Sequence, residues 1–151
     1  MSEAKTPASL PKWIDDHLRR YVETDGKDGH MWDSAPVGGP GPIPTLLLTT
    51  YGRRSGKPIV MPLIYGEANG TFVIVASKGG AAQHPGWYLN LAAKPAVEVQ
   101  VLADRFRAKA RTATGAERAR LWEKMAAIYP PYNDYQKKTE REIPVVVLER
   151  I

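Results

Sequence analysis

Three separated segments carry side chains that could bind or react. The first is Gly52-Arg53-Arg54-Ser55-Gly56-Lys57, a corner between the apolar runs TLLLTTY and IVMPLIY. Consecutive turn amides can form an anion-binding concavity, and arginine offers a planar donor fork to phosphate or carboxylate. The same composition also suits a solvated basic turn. The second is Ala76-Ser77-Lys78-Gly79-Gly80, directly after TFVIV. It offers a hydroxyl and a cation on a glycine-loosened loop at a strand end, and it could equally be a plain connector. The third is Tyr129-Pro130-Pro131-Tyr132-Asn133-Asp134-Tyr135. Tyr132 and Tyr135 share a face if this piece is helical, with Tyr129 just before them. Three phenols could stack on a planar ligand and donate hydrogen bonds from their tips. Aromatic core packing is the competing reading, though the Asn/Asp neighbours predict that Tyr132 and Tyr135 are exposed. Trp87, Tyr88 and Asn90 make a weaker set, with Trp87 expected in the core or on a groove wall. His30, Met31 and Trp32 could cover a pocket or anchor a loop.

Much other chemistry is excluded. There is no cysteine, so there are no disulfides, thiolate metal sites or thiol nucleophiles. His17, His30 and His84 show no metal-ligand spacing with carboxylates, and no metal is expected. Neither a G-x-S-x-G elbow, nor a Walker loop, nor G-x-G-x-x-G occurs.

The elements that must position the three segments can be read from periodicity. Residues 1–10 are polar and expected to be disordered. A helix is predicted from about Pro11 to Thr24, with Ser9 as a capping candidate and an end at Gly26. Trp13, Ile14, His17, Leu18, Tyr21 and Val22 form its apolar stripe. The Gly/Pro-rich connector that follows, up to residue 43, reads as irregular. From Pro44 the pattern changes to strands. TLLLTTY, IVMPLIY and TFVIVAS come first, the last two joined by GEANG as a hairpin loop. AVEVQVLA and RFRAKARTA form a second hairpin around Ala103-Asp104, with Glu98 and Gln100 on the face opposite the valines. PVVVLERI closes the set. PGWYLNLAAK and ATGAERARLWEKMAAIY are predicted helices, the latter with Thr114 and Glu117 at capping-box spacing and Leu121, Trp122, Met125 and Ile128 inward. A short helix follows Pro130-Pro131. About six antiparallel strands with helices inserted between hairpins predict a small barrel over residues 44–151, carrying α elements on its outside.

The 151 residues, 43% hydrophobic, fit one core. A net charge of +5, from 21 basic and 16 acidic residues, favours an anionic partner without selecting phosphate, nucleic acid or membrane. The N-terminus lacks a secretory apolar region, and a cytoplasmic location is expected. Peripheral membrane contact through the first helix is the minority reading, because its polar face mixes both charges.

At the three segments the chain resembles the deazaflavin-dependent nitroreductase family, the actinobacterial flavin/deazaflavin oxidoreductases of class A type. The resemblance rests on LLLTTYGRRSGKP, PLIYG, VIVASKGGA, HPGWYLNL, ARTATGAERARLW, IYPPYNDYQ and TEREIPVVVLER, in order from about Pro44 to Ile151. It implies a split β-barrel related to FMN-binding proteins, using the 8-hydroxy-5-deazaflavin coenzyme F-420 with its glutamate tail. It further implies cofactor contacts from Arg53, Arg54 and Ser55. Others would come from Ile59, Val60, Met61, Pro62, Leu63 and Ile64 on one strand. Val75, Ala76, Ser77 and Lys78 would contribute next. Gly86, Trp87, Tyr88, Leu89 and Asn90 follow, with Tyr132 also touching the cofactor. Tyr129, Tyr132, Tyr135 and Ser77 match positions that shape the substrate pocket, with a tyrosine or the serine assisting proton delivery. Tyr51 and Gly86 depart from the usual threonine and larger apolar residue, which bears on pocket shape.

The implied function is a reductase passing a hydride from reduced coenzyme to planar, electron-poor acceptors: activated alkenes such as unsaturated lactones or coumarins, quinones, or nitro compounds. The alternatives are an FMN-dependent oxidase or reductase of the pyridoxamine-phosphate-oxidase type and a non-catalytic cofactor-binding protein. Nucleic acid is not an expected partner, and monomer and homodimer both remain open.

Overall fold

A computed structural model describes residues 11–151; the N-terminal residues expected to be disordered, and Ser9, lie outside the described residues. In chain order the elements are α1 (Lys12–Glu23), β1 (Met31–Asp33), β2 (Pro42–Tyr51), β3 (Pro58–Ile64), β4 (Gly66–Ala68) and β5 (Thr71–Val75). Then come α2 (Gly86–Ala93), β6 (Ala96–Val101), β7 (Asp104–Thr112), α3 (Gly115–Ile128), α4 (Pro131–Lys137) and β8 (Val145–Arg150). Short 3-10 turns occupy Ala35–Val37 and Lys78–Gly80.

All strand pairs are antiparallel, in the order β1-β2-β6-β7-β8-β5-β4, with β3 on the other edge of β2. Only Tyr65 separates β3 from β4, so Pro58–Ala68 is one bent ribbon whose halves pair with β2 and β5. That bend closes the ring, and the architecture is the expected split β-barrel. The expected hairpin between IVMPLIY and TFVIVAS is therefore corrected. Its loop is only Asn69-Gly70, both at positive φ (52° and 77°) as a tight two-residue turn requires, and Gly66–Ala68 is strand.

Alternation explains the rest of the pattern. Leu46 and Leu48 of β2, Ile74 of β5 and Val146 and Leu148 of β8 share the interior cluster with Val97 and Val99 of β6. The opposite faces of β5 and β8, through Val73, Val75, Val145 and Val147, pack on Leu121 and Met125 of α3 and on Tyr132 of α4. Leu47 and Val60 pack on Leu18 and Tyr21 of α1. Strands covered on both faces read as unbroken apolar runs, whereas β6 and β7, open on one side, alternate.

Several local expectations are corrected. The connector contains a strand: β1 pairs with the start of β2, Met31 opposite Pro44 and Asp33 opposite Pro42. Helix α1, by contrast, is as expected, Lys12–Glu23 between the caps Pro11 and Thr24, and it ends where Asp25 takes a positive φ (52°) and the Gly26 N–H returns to the Tyr21 carbonyl at 2.8 Å. Thr114 is the N-cap of α3 but makes no side-chain cap bond, and Glu117 instead takes a bidentate pair from Arg111 (2.7 and 2.9 Å). Gln100, expected outside, is buried beneath the end of α1, where the Tyr21 hydroxyl donates to the Thr45 carbonyl at 3.0 Å and accepts from the Leu102 N–H at 2.9 Å. Among the described residues no helix is long and apolar enough to cross a membrane.

Candidate active site

One cavity of about 710 Å³ is lined by all three reactive segments, together with β3, the start of α2 and parts of α1 and β1. Its volume suits a ligand of cofactor size. Two of the segments sit at the ends of ring strands, the corner joining β2 to β3 and the Ser77–Gly80 turn leaving β5, and the third lies at the α3–α4 junction, with α4 packed on that turn. Among the described residues there is no metal-ligating cluster.

The corner is closed by its own backbone. The Gly52 N–H donates to the Lys57 carbonyl (2.9 Å) and the Gly56 N–H to the Gly52 carbonyl (2.8 Å). Asn90, buried on α2, ties it down: its Oδ1 accepts from the Arg53 N–H (3.2 Å) and from Arg53 Nη1 (2.9 Å). Ser55 Oγ accepts from the Lys57 N–H at 3.1 Å. Arg53 and Arg54 make no ion pair with a described carboxylate, so their charge is available to an anion.

The turn after β5 is built under constraint. Lys78, Gly79 and Gly80 all take positive φ (46°, 64° and 83°). A β-carbon on Gly80 would stand 2.7 Å from the Tyr135 carbonyl oxygen, so this turn lies directly against the backbone of α4. Glycine is required there by close approach as well as by φ.

The tyrosines form a buried cluster. The Tyr129 and Tyr132 rings meet edge to face at 4.9 Å, and the Tyr129 and Tyr135 hydroxyls lie 2.8 Å apart in a hydrogen bond. Tyr132 is 4% exposed and packs in the α3–α4 core, and Tyr135 is half-buried, so the expected exposure of both is corrected. Asn133 and Asp134 occupy the solvent face of α4, leaving Tyr132 and Tyr135 three residues apart on the inner one. Burial raises the Tyr129 and Tyr132 pKa values well above the ordinary phenol value, Tyr135 adding to both shifts, so these hydroxyls stay protonated at neutral pH. The Tyr132 hydroxyl makes no hydrogen bond to a described residue, while the other two are committed to each other.

Of the residues singled out from the sequence, Arg53, Arg54, Ser55, Ile59, Met61, Pro62, Leu63 and Ile64 line this cavity. So do Val75, Ser77, Lys78, Gly86, Trp87, Asn90, Tyr129, Tyr132 and Tyr135. Four others are placed elsewhere. Val60 alternates to the far face of β3, against α1. Ala76 is fully buried in the interior cluster. Tyr88 bonds the Thr112 hydroxyl (2.9 Å) and meets the His84 ring at a tilt, 4.8 Å between centroids. Leu89 is exposed on α2 away from the lining.

Sequence reasoning missed Trp13, Ile14, His17 and Val37 as wall residues, while Trp32, one of three connector residues expected to cover a pocket or anchor a loop, does line the cavity and His30 and Met31 do not. Trp13 and Trp32 stack with ring centroids 6.0 Å apart and planes 5° from parallel. His17 donates Nε2–H to the Gly29 carbonyl (2.7 Å) and burial lowers its pKa. The signal available was the apolar stripe of α1, which runs on past the residues needed to dock it. Close approach of the connector was invisible: a β-carbon on Gly39 would lie 2.8 Å from the Tyr129 ring.

An F420H(2)-dependent quinone reductase of Mycobacterium tuberculosis is 36% identical over 153 residues, covering 93% of this chain and 98% of the relative. A solved structure of an F420-H2-dependent reductase (FDR-A) is 44% identical with a TM-score of 0.65, covering 70% of this chain and 93% of its own. Another, described as a domain-swapped dimer, is 39% identical with a TM-score of 0.69, covering 91% and 98%. The family model for F420H(2)-dependent quinone reductases matches residues 13–150, and the chain belongs to that family.

Proposed function

We propose that this chain is a reductase that binds reduced coenzyme F-420 in the cavity and serves planar, electron-poor acceptors, quinones foremost. The observation that carries the reading is the convergence, in one cavity, of cations from two loops that make no ion pair with a described carboxylate and a wall of buried and half-buried phenols. The residues fit such a coenzyme in kind. Arg53, Arg54 and Ser55 at the corner and Lys78 after β5 would hold its phosphate and glutamate groups, and Ile59, Met61 and Leu63 offer an apolar wall to a flat ring.

When bound, the coenzyme supplies a hydride. The protein's part is to orient, to exclude water and to place a proton. Trp13, Trp32 and Trp87 bring apolar surface to the cavity wall. Reduction of a quinone, an activated alkene or a nitro group leaves an anionic oxygen or carbon to be protonated. A phenol is protonated at neutral pH and can give that proton within hydrogen-bond reach. Burial raises its pKa and weakens it as an acid, so its position in the cavity wall, not its acidity, recommends it. Tyr132, with its hydroxyl uncommitted, is the assigned donor, and Ser77 with the Tyr129–Tyr135 pair shapes the acceptor's place.

Side-by-side spectroscopic titration with the deazaflavin coenzyme and with FMN tests the reading, followed by quinone-dependent oxidation of the reduced form. Tight binding of the deazaflavin and weak binding of FMN is expected; the reverse order would overturn it. Unsaturated lactones, coumarins and nitro compounds belong to the same proposal as secondary acceptors. A homodimer is supported by the relative described as a domain-swapped dimer, and light scattering on the purified chain decides it. A cytoplasmic location completes the proposal, since a chain without cysteine has no need of an oxidising compartment.

A further inference from the structure

We propose that Arg141 is a positioning residue of this site: it clamps the strained turn that carries Ser77 and Lys78 and locks it to the tyrosine helix. Arg141 lies in the segment between α4 and β8 and does not line the cavity. Its guanidinium reaches back across the chain to four acceptors. Nε donates to the Ala81 carbonyl (2.8 Å), Nη1 to the Ala76 carbonyl (3.2 Å) and to His84 Nδ1 (3.0 Å), and Nη2 to the Ser77 carbonyl (2.8 Å). These acceptors bracket Lys78–Gly80 on both sides.

The turn needs an external brace. Three consecutive residues at positive φ include Lys78, whose β-carbon disfavours that conformation. Locally, the turn is held by the Gly80 N–H to the Ser77 carbonyl (2.9 Å) and the Ala81 N–H to the Lys78 carbonyl (3.1 Å). Arg141 is in turn fixed to α4, because its carbonyl accepts from Gln136 Nε2 (2.8 Å) while Gln136 Oε1 accepts from the Ile143 N–H (3.0 Å). With Gly80 against the Tyr135 backbone, the cation-bearing turn and the phenol-bearing helix become one rigid unit.

The planar fork is what the geometry uses. A guanidinium donates along several fixed directions at once, which an ammonium on a flexible stem does not reproduce. Arg141 makes no ion pair with a described carboxylate, so its partners are carbonyls and a neutral imidazole. Arg141→Lys thus separates fork geometry from mere positive charge.

The inference rests on the reading that the cavity holds an anionic coenzyme, and the test separates the two. Arg141→Gln, Arg141→Lys and the wild-type full chain are compared by hydrogen–deuterium exchange without coenzyme, then by titration with coenzyme F-420 and by kcat and KM with one quinone. Both variants should exchange the amides of residues 78–81 about tenfold faster, with β6 and β7 unchanged. Both should bind the coenzyme about tenfold more weakly. kcat at saturating coenzyme should stay within about twofold of wild type, as for an interaction that places the ligand without entering the chemical step. Wild-type exchange and affinity in Arg141→Lys would overturn the clamp, as would uniformly faster exchange with unchanged affinity. If Arg141→Gln does not fold, His84→Ala removes one of the four acceptors and should speed exchange at residues 78–81 by a few-fold; no change there overturns the inference. Failure of the wild type to bind coenzyme would sink the proposed function alone, leaving the clamp to be judged from exchange.

Discussion

The Gly52–Lys57 corner and the Ser77–Gly80 turn offer cations to the same cavity, yet they are built in opposite ways. The corner is exposed, closed by its own amides and tied to the body through Asn90. The turn is braced from outside by Arg141, pressed on the backbone of α4 and backed by buried tyrosines. The lesson is that binding groups can sit on cheap or on expensive scaffolding. An exposed loop can present charge at little structural cost, whereas a group that must keep one exact place needs a packed shell around it.

The largest expected difference lies in the tyrosines. Tyr132→Ala should destabilise the fold by about 3–5 kcal/mol in urea unfolding, as for other buried aromatic truncations. Tyr132→Phe should keep most of that stability and lower turnover by about a hundredfold with coenzyme affinity unchanged. Equal turnover in Tyr132→Phe and wild type would move the proton donor elsewhere.

A matched pair of glycines sharpens the contrast next. Gly80→Ala meets the Tyr135 backbone as well as an unfavourable φ, and should cost about 2–4 kcal/mol. Gly56→Ala has a similar φ (72°), but its nearest neighbour is a lysine nitrogen at 3.7 Å, so it should cost about 1–2 kcal/mol. Equal costs in chemical denaturation would mean that the turn and the corner are equally braced.

On affinity the two regions should converge. Lys78→Ala and Arg54→Ala should each weaken coenzyme binding about tenfold. The unfolding midpoint of Arg54→Ala should match wild type. Cofactor affinity unchanged in Lys78→Ala would remove the turn from the binding site.

The smallest effect is on pH. His17 has a folded pKa below its ordinary 6.5 because burial disfavours the imidazolium. The unfolded chain then binds more protons below pH 6.5, so this stability is present above that value and is lost as pH falls. His30 and His84 are lowered in the same direction. His17→Gln should flatten, without abolishing, the fall in stability between about pH 6.5 and 5. An unchanged slope would show that His17 contributes little.

Most of the strands and all three reactive segments were legible in the sequence, because period-2 alternation and turn chemistry are local. The bend at Tyr65 was not, since a strand that changes partners midway reads like one that ends. The exposure expected for Tyr132 and Tyr135 failed for a related reason: polar neighbours describe one face of α4, and only the packing of α3 and α4 shows which face turns inward. The contribution of α1 to the cavity wall was half legible, as a stripe longer than docking requires.

The sequence by itself determined the ring strands, the helices between them, the absence of thiols, and the identities of the cations and phenols. These follow from residue types and short-range spacing. Tertiary structure alone decided that Arg53, Lys78 and Tyr132 face one cavity, that Val60 and Ala76 turn away from it, and that Arg141 holds a loop more than 60 residues earlier in the chain. Such relations depend on which strand ends meet when the ring closes. Loop closure over long separations leaves no local periodicity to read.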